Sequence, residues 1–124
     1  MVFGSESTGL SAEARAGCET ILHISHHATV EAFGAWAAEH DLPILGIDNL
    51  PGAEPLETFA MARECVLVFG QEGPGLSDAA RAACSRTLSI AQFGSTRSIN
   101  AGVASGIAMH AWIRTHGELD GLPR

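Results

Sequence analysis

The chain has 124 residues, no lysine and a formal net charge of −7, which argues against a protein that coats nucleic acid through clustered basic side chains. It is long enough for one domain with one hydrophobic core, and no apolar run approaches the roughly 18 residues that a membrane span needs. Because Cys18, Cys65 and Cys84 are widely spaced without a CxxC motif and the start lacks a basic signal region, we expect a cytoplasmic protein with reduced thiols.

Strands and helices alternate along the chain. Val30, Phe33 and Ala37 share one helical face. Strands are predicted at 42–48, 65–69 and 86–90, and loops are predicted at 49–55 and 91–98. Two more helices are predicted, one at 77–84 with Ser77 as its N-cap and one at 100–116 that ends at Gly117. The strand at 65–69, CVLVF, is apolar enough to be buried on both faces. This alternation predicts an α/β fold with a mostly parallel sheet flanked by helices.

Two loops carry the residues that are unusual for simple turns. The glycine loop (residues 70–76, GQEGPGL) follows the strand at 65–69, and the second loop (residues 91–97, AQFGSTR) follows the strand at 86–90. Ligands of α/β sheets bind beyond the carboxyl ends of the strands, and glycines let a backbone approach a ligand closely. The glycine loop lacks the Lys-Ser/Thr of a P-loop, so a pocket for a neutral or zwitterionic ligand fits better than a phosphate site; a rigid turn is the structural alternative.

These loops resemble the second and third motifs of the SpoU/TrmH family of RNA 2′-O-ribose methyltransferases. The resemblance is carried by LVFGQEGPGLS and by LSIAQFGSTRSINAGVASGIAMHAW, and it extends over about residues 26–116. It implies the methyl donor S-adenosylmethionine as cofactor, tRNA or rRNA as substrate, a C-terminal trefoil knot and a homodimer. The small residues of the last helix are compatible with tight packing against a neighbouring loop or subunit. No metal is implied, and the spacing of His23, His26 and His27 with Cys18 does not match a zinc site.

The resemblance also implies roles for individual residues. Glu72, Ser98 and Asn100 are the candidate catalytic residues, and Arg97 is the candidate RNA contact. The residues expected to bind the cofactor are Phe69, Gly70, Glu72, Gly75, Ile90, Gln92, Ser98 and Asn100. Four of these residues also have a purely structural interpretation: Ser98 and Asn100 can cap the last helix, Glu72 can brace its loop, and Arg97 can be solvated.

The family's upstream motif, an Asn-x-Gly…Arg-Thr segment with a central arginine, is not found. Residues 2–24 instead align without gaps on residues 68–90, with thirteen of twenty-three positions identical. We therefore expect a single SpoU-type domain over residues 1–124 that is truncated or rearranged at its N-terminal side. The alternatives to an active methyltransferase are a non-catalytic dimeric remnant that keeps the cofactor and, with less support, a nucleotide-binding α/β domain.

Overall fold

The computed structural model describes residues 27–71, 73–94 and 98–117. The predicted repeat at 2–24 lies outside these ranges. The described part contains helices α1 (Val30–Glu39), α2 (Asp78–Ala83) and α3 (Ala101–His116), together with strands β1 (Ile44–Ile47), β2 (Glu54–Pro55), β3 (Val66–Phe69) and β4 (Arg86–Ser89). None of these helices is long and apolar enough to cross a membrane.

The four strands form one sheet in the order β2-β4-β1-β3, and every neighbouring pair is parallel. This confirms the predicted α/β fold with a parallel sheet. Ile47, the last residue of β1, is opposite Phe69 in β3 and Leu88 in β4. Since parallel strands run in the same direction, the loops that follow β1, β3 and β4 all leave from one edge of the sheet.

Two strands differ from the sequence prediction. The segment 65–69 was expected to be buried on both faces, but β3 residues are half-buried, and within the described ranges β3 has β1 as its strand neighbour. The buried strand is β1, in which all four residues are buried. The segment 49–55 was expected to be a loop throughout, but Glu54 and Pro55 form the short strand β2 beside β4. Pro55 is tolerated because β2 lies at the other end of the sheet order, where one ladder donor can be lost.

Each of the three described helices begins directly after a polar residue. Thr29, Ser77 and Asn100 are the N-caps of α1, α2 and α3, and their side chains accept hydrogen bonds from backbone amides of the first turn. At the far end of α3, the Gly117 amide donates to the carbonyl of Ile113 over 2.7 Å. The predicted caps Ser77 and Asn100 and the predicted end at Gly117 are thus confirmed.

The core lies between the sheet and α3. Leu88 at the middle of the sheet and Ala108 on α3 are fully buried. The other buried members of this cluster are Leu45, Ile47, Leu56, Met61, Ile90 and Ala104. Trp112 packs at the margin of the core, and its indole nitrogen donates to the carbonyls of Ala62 and Arg63. Because alanines face the core, α3 approaches the sheet closely and its first turn lies next to the loops at the sheet edge.

Candidate functional site

A cleft of about 320 Å³ opens at the carboxyl edge of the sheet. Its walls come from the loop after β1 (residues 48–51, the β1 loop), the glycine loop after β3, and the segment from β4 to the first turn of α3. The lining residues are Ile47, Asp48, Asn49, Leu50, Pro51, Phe69, Gly70, Gln71, Gly73, Pro74, Gly75, Ile90, Gln92, Ser98, Ile99, Ala101 and Ala104. The volume is at the lower end of the roughly 300–1,000 Å³ typical of small-molecule sites.

The glycine loop is a closed turn held by its own backbone. The Gln71 amide donates to the Gly75 carbonyl over 3.1 Å, and the Gly75 amide donates back to the Gln71 carbonyl over 3.0 Å. Gly73 and Gly75 have φ of +93° and +73°, which L-residues with side chains rarely adopt. A Cβ on Gly70 would lie within 2.6 Å of the Gly75 Cα. Gly70 therefore lets the loop fold back on itself, whereas the space beside Gly73 is open.

The β1 loop is the part of the site that sequence reasoning missed. Asp48 Oδ2 accepts a hydrogen bond of 2.9 Å from the Leu76 amide, at the end of the glycine loop. Asn49 Oδ1 accepts one of 2.9 Å from the Ile90 amide, just before the second loop. The signal that was available is position: both residues follow a buried strand directly, as the two recognised loops do.

A third side chain supports the second loop from outside the cleft. Glu57 Oε1 accepts a hydrogen bond of 2.8 Å from the Ala91 amide, which is the residue after Ile90. The amides of Ile90 and Ala91, which follow β4, are therefore held by Asn49 in the loop after β1 and by Glu57 in the segment after β2. This fixes the direction in which the second loop leaves the sheet.

The structure brings together most of the residues that were predicted to bind the cofactor. Six of them line the cleft: Phe69, Gly70, Gly75, Ile90, Gln92 and Ser98. Asn100 is not among the lining residues; its Oδ1 accepts hydrogen bonds from the amides of Gly102 and Val103 at the start of α3. Glu72 and Arg97 lie outside the described residues. The catalytic, cofactor and RNA roles of all these residues stay predictions.

The cleft is lined by apolar side chains, backbone groups and a few polar groups. Among its described lining residues Asp48 is the one with an ionisable side chain. The described part of the chain contains no cluster of three or more His, Cys, Asp or Glu residues that could hold a metal ion. Cys65 and Cys84 lie outside the lining, and burial raises the pKa of each thiol. The described lining thus offers apolar side chains, backbone groups and one carboxylate, but no basic side chain.

These features fit a folded methyl donor of the nucleoside type. Ile47, Phe69 and Ile90 offer apolar walls for an aromatic base, and the open space beside Gly73 gives access to the backbone of the glycine loop. The residues present thus suit S-adenosylmethionine better than a phosphate-rich ligand, since the described lining contains no basic side chain.

A protein-family model matches the part of the chain that contains the cleft. The model of the SpoU rRNA Methylase family matches residues 15–110. An uncharacterized tRNA/rRNA methyltransferase of Mycobacterium avium is 40% identical over 63 residues, which cover 51% of this chain and 18% of that protein. The chain therefore spans less than a fifth of the length of this curated relative.

Two solved structures are similar to the fold. The SpoU methyltransferase AviRb from Streptomyces viridochromogenes, in complex with AdoMet, has a TM-score of 0.63 and 25% identity, and the match covers 69% of this chain and 34% of AviRb. A structure described as giving insights into the 2-OH methylation of C/U34 on tRNA has a TM-score of 0.63 and 28% identity, covering 72% of this chain and 57% of that one. Together with the family match, they confirm the resemblance stated from the two motifs.

Proposed function

The chain belongs to the SpoU rRNA methylase family, and from that premise we propose that it transfers a methyl group from S-adenosylmethionine to tRNA or rRNA. We propose further that the acceptor is a ribose 2′-hydroxyl. The observation that carries the proposal is the cleft, since its three walls contain the two family motifs and meet at the edge of the sheet where ligands bind. AviRb, which shares this fold, was solved with AdoMet, and a second neighbour concerns 2-OH methylation of tRNA.

The residues of the cleft would act mainly by positioning. The bound donor supplies an electrophilic methyl group on a cationic sulfur. Ile47, Phe69 and Ile90 would exclude water from the donor, and the backbone of the glycine loop would hold its polar groups. Holding two reactants in line can supply about 7–11 kcal/mol of the barrier.

Accepting the methyl requires the ribose hydroxyl to lose its proton. Ser98 is an exposed residue that lines the cleft, and its hydroxyl would hydrogen-bond the acceptor. Glu72 is the predicted residue that would orient the ribose or take the proton. A 2′-hydroxyl acceptor would also distinguish RNA from DNA, which lacks this group.

The homodimer and the trefoil knot belong to the same proposal. On α3 the large apolar side chains Val103, Ile107, Met109 and Ile113 are 54%, 38%, 47% and 43% exposed. Their exposure along one helix supports a second copy of the chain as the partner that covers it. The knot would thread α3 behind the second loop, and the proximity of Ser98, Ala101 and Ala104 to the glycine loop in one cleft supports that arrangement.

The remaining candidate is a dimeric module that binds the cofactor but transfers no methyl group. The observation that favours it is that Asp48, the one described lining residue with an ionisable side chain, already accepts a hydrogen bond from the Leu76 amide. A nucleotide-binding domain has less support, because the described lining of the cleft contains no basic side chain for phosphates.

Two measurements separate these functions. Titration calorimetry with S-adenosylmethionine, and with ATP as comparator, is expected to show binding of the donor alone. Transfer of tritiated methyl to bulk RNA, followed by nucleoside mass spectrometry, is expected to give 2′-O-methyl nucleosides. The matched variants are Ser98→Ala in the cleft and Gly34→Ala on α1, where a Cβ would make an ordinary contact of 3.9 Å with Ala83.

The outcomes assign the function directly. Donor binding without methyl transfer supports the remnant, and a methylated base contradicts the ribose assignment. ATP binding in preference to the donor contradicts the whole proposal. Equal transfer rates for wild type, Ser98→Ala and Gly34→Ala would remove Ser98 from the site.

A further inference from the structure

Asp48 and Asn49, two consecutive residues after β1, contact the two motif loops from between them. Asp48 accepts from the Leu76 amide at the end of the glycine loop, and Asn49 accepts from the Ile90 amide before the second loop, each over 2.9 Å. We call this pair the bracket. One dipeptide on the middle of the sheet thus holds both walls of the cleft.

The bracket is fixed to a rigid part of the fold. The Asp48 amide donates to the carbonyl of Leu88 over 2.9 Å, and the Asp48 carbonyl accepts from the Leu50 amide over 3.0 Å. Leu88 is fully buried, and Ile47, which precedes the bracket, is 6% exposed. Because its backbone is hydrogen-bonded to the buried part of the sheet, the bracket ties the positions of the two loops to that of β1.

The fit between the bracket and the glycine loop is close. A Cβ on Gly75 would lie 2.5 Å from Asp48 Oδ2, so the carboxylate occupies the place that any larger residue at 75 would need. Leu76, whose amide donates to Asp48, is 6% exposed and anchors the end of the loop. A hydrogen bond to a charged acceptor is stronger than one between neutral groups, which suits a contact that must hold a glycine-rich turn.

We propose that Asp48 and Asn49 are positioning residues that hold the glycine loop and the second loop at the separation the methyl donor requires. This inference rests on the proposed function for the identity of the ligand. The bracket acts on the ligand through backbone: removing one acceptor frees one wall of the cleft while leaving the core in place. Asp48→Ala and Asn49→Ala should therefore affect donor affinity more than they affect folding.

The test compares these two variants with replacements that keep an acceptor oxygen, Asp48→Asn and Asn49→Asp. The matched control is Ser85→Ala, since Ser85 Oγ accepts from the Ile44 amide over 3.2 Å at the opposite edge of the sheet. Donor affinity is measured by calorimetry, folding by thermal unfolding, and the bond itself by hydrogen exchange at the Leu76 and Ile90 amides.

We expect Asp48→Ala and Asn49→Ala to weaken donor binding at least tenfold, with faster exchange at Leu76 and Ile90 respectively. Asp48→Asn and Asn49→Asp should stay within about threefold of wild type, and Ser85→Ala should bind normally. The bracket is overturned if the alanine variants bind like wild type, if Ser85→Ala loses as much affinity, or if the two amides exchange unchanged. Wild-type protein that does not bind the donor overturns the proposed function and the donor role of the bracket. Amide exchange in the unliganded variants then still decides whether the bracket holds the loops.

Discussion

Gly70 gives the sharpest test of how the cleft is built. Its φ is not in the left-handed region, so an alanine there meets no backbone strain of its own. A Cβ would instead fall within 2.6 Å of Gly75 Cα, and nearer still to the Gly75 carbonyl carbon and the Leu76 amide. These are backbone atoms, which cannot turn away as a side chain can. Gly70→Ala must therefore open the turn that the Gln71 and Gly75 hydrogen bonds close.

The size of the effect follows from the cost of overpacking. Forcing a methyl group into a filled site typically costs about 1–3 kcal/mol. If that cost appears wholly in the donor complex, affinity falls by roughly 5-fold to 150-fold, since 1.4 kcal/mol is a factor of ten. The clash is local to one turn, so we expect urea unfolding to show a smaller loss than calorimetry shows for donor binding.

Two other glycines provide the controls. Gly34→Ala in the interior of α1 should raise the unfolding free energy by about 0.5–1 kcal/mol and leave binding unchanged, because alanine is the better helix former. Gly73→Ala has open space for its Cβ, so strain at φ of +93° is its main cost, about 1–2 kcal/mol. Gly70→Ala with wild-type affinity and stability would refute the close packing of the turn and with it the shape of the cleft.

Four further predictions concern the rest of the fold. Asn100→Ala removes the cap of α3 and should lower the unfolding free energy by about 1 kcal/mol in urea, whereas Asn100→Asp should retain it. With Cys18 replaced by serine, Cys65 and Cys84 should react with iodoacetamide at pH 8 more slowly than free cysteine, since burial raises the pKa of both thiols. Their contribution to stability should be complete below pH 9.0, the unfolded value, and decline above it; unfolding free energies that rise over that range would contradict this. Ile107→Glu, on the exposed side of α3, should convert the proposed dimer to a folded monomer in light scattering, and an unchanged mass would place the interface elsewhere.

Local chemistry made the elements predictable. Ser77 and Asn100 precede apolar runs and offer side-chain oxygens, so both helix starts followed from the sequence. The strand at 65–69 was predicted as an element but not in its burial, because a continuous apolar run does not state how many neighbours a strand will have. Two-residue β2 was missed for a related reason: Glu54 and Pro55 have low strand propensity, and their pairing with Leu88 and Ser89 is a property of the assembled sheet.

Only part of the candidate site was predictable from the sequence. Gly70, Gly75, Gln92 and Ser98 belong to motifs with unusual composition, and the structure brings them into one cleft. Asp48 was predicted as the last residue of the strand at 42–48, and Asn49 as the first residue of a loop with no assigned role. The importance of Asp48 arises from a hydrogen bond to a residue 28 positions away, and contacts over such distances leave no periodic trace in the sequence.

The strand order explains why the β1 loop, the wall of the cleft that the sequence did not reveal, connects the other two walls. In sequence β1 comes before both β3 and β4, and adjacent segments suggest neighbouring strands. In the sheet β1 instead lies between β3 and β4, with Ile47 level with Phe69 on one side and Leu88 on the other. A loop that leaves the middle strand must pass between the loops of its two neighbours, whatever its composition. Short polar side chains at its first two positions can then reach an amide on either side, and Asp48 and Asn49 do so.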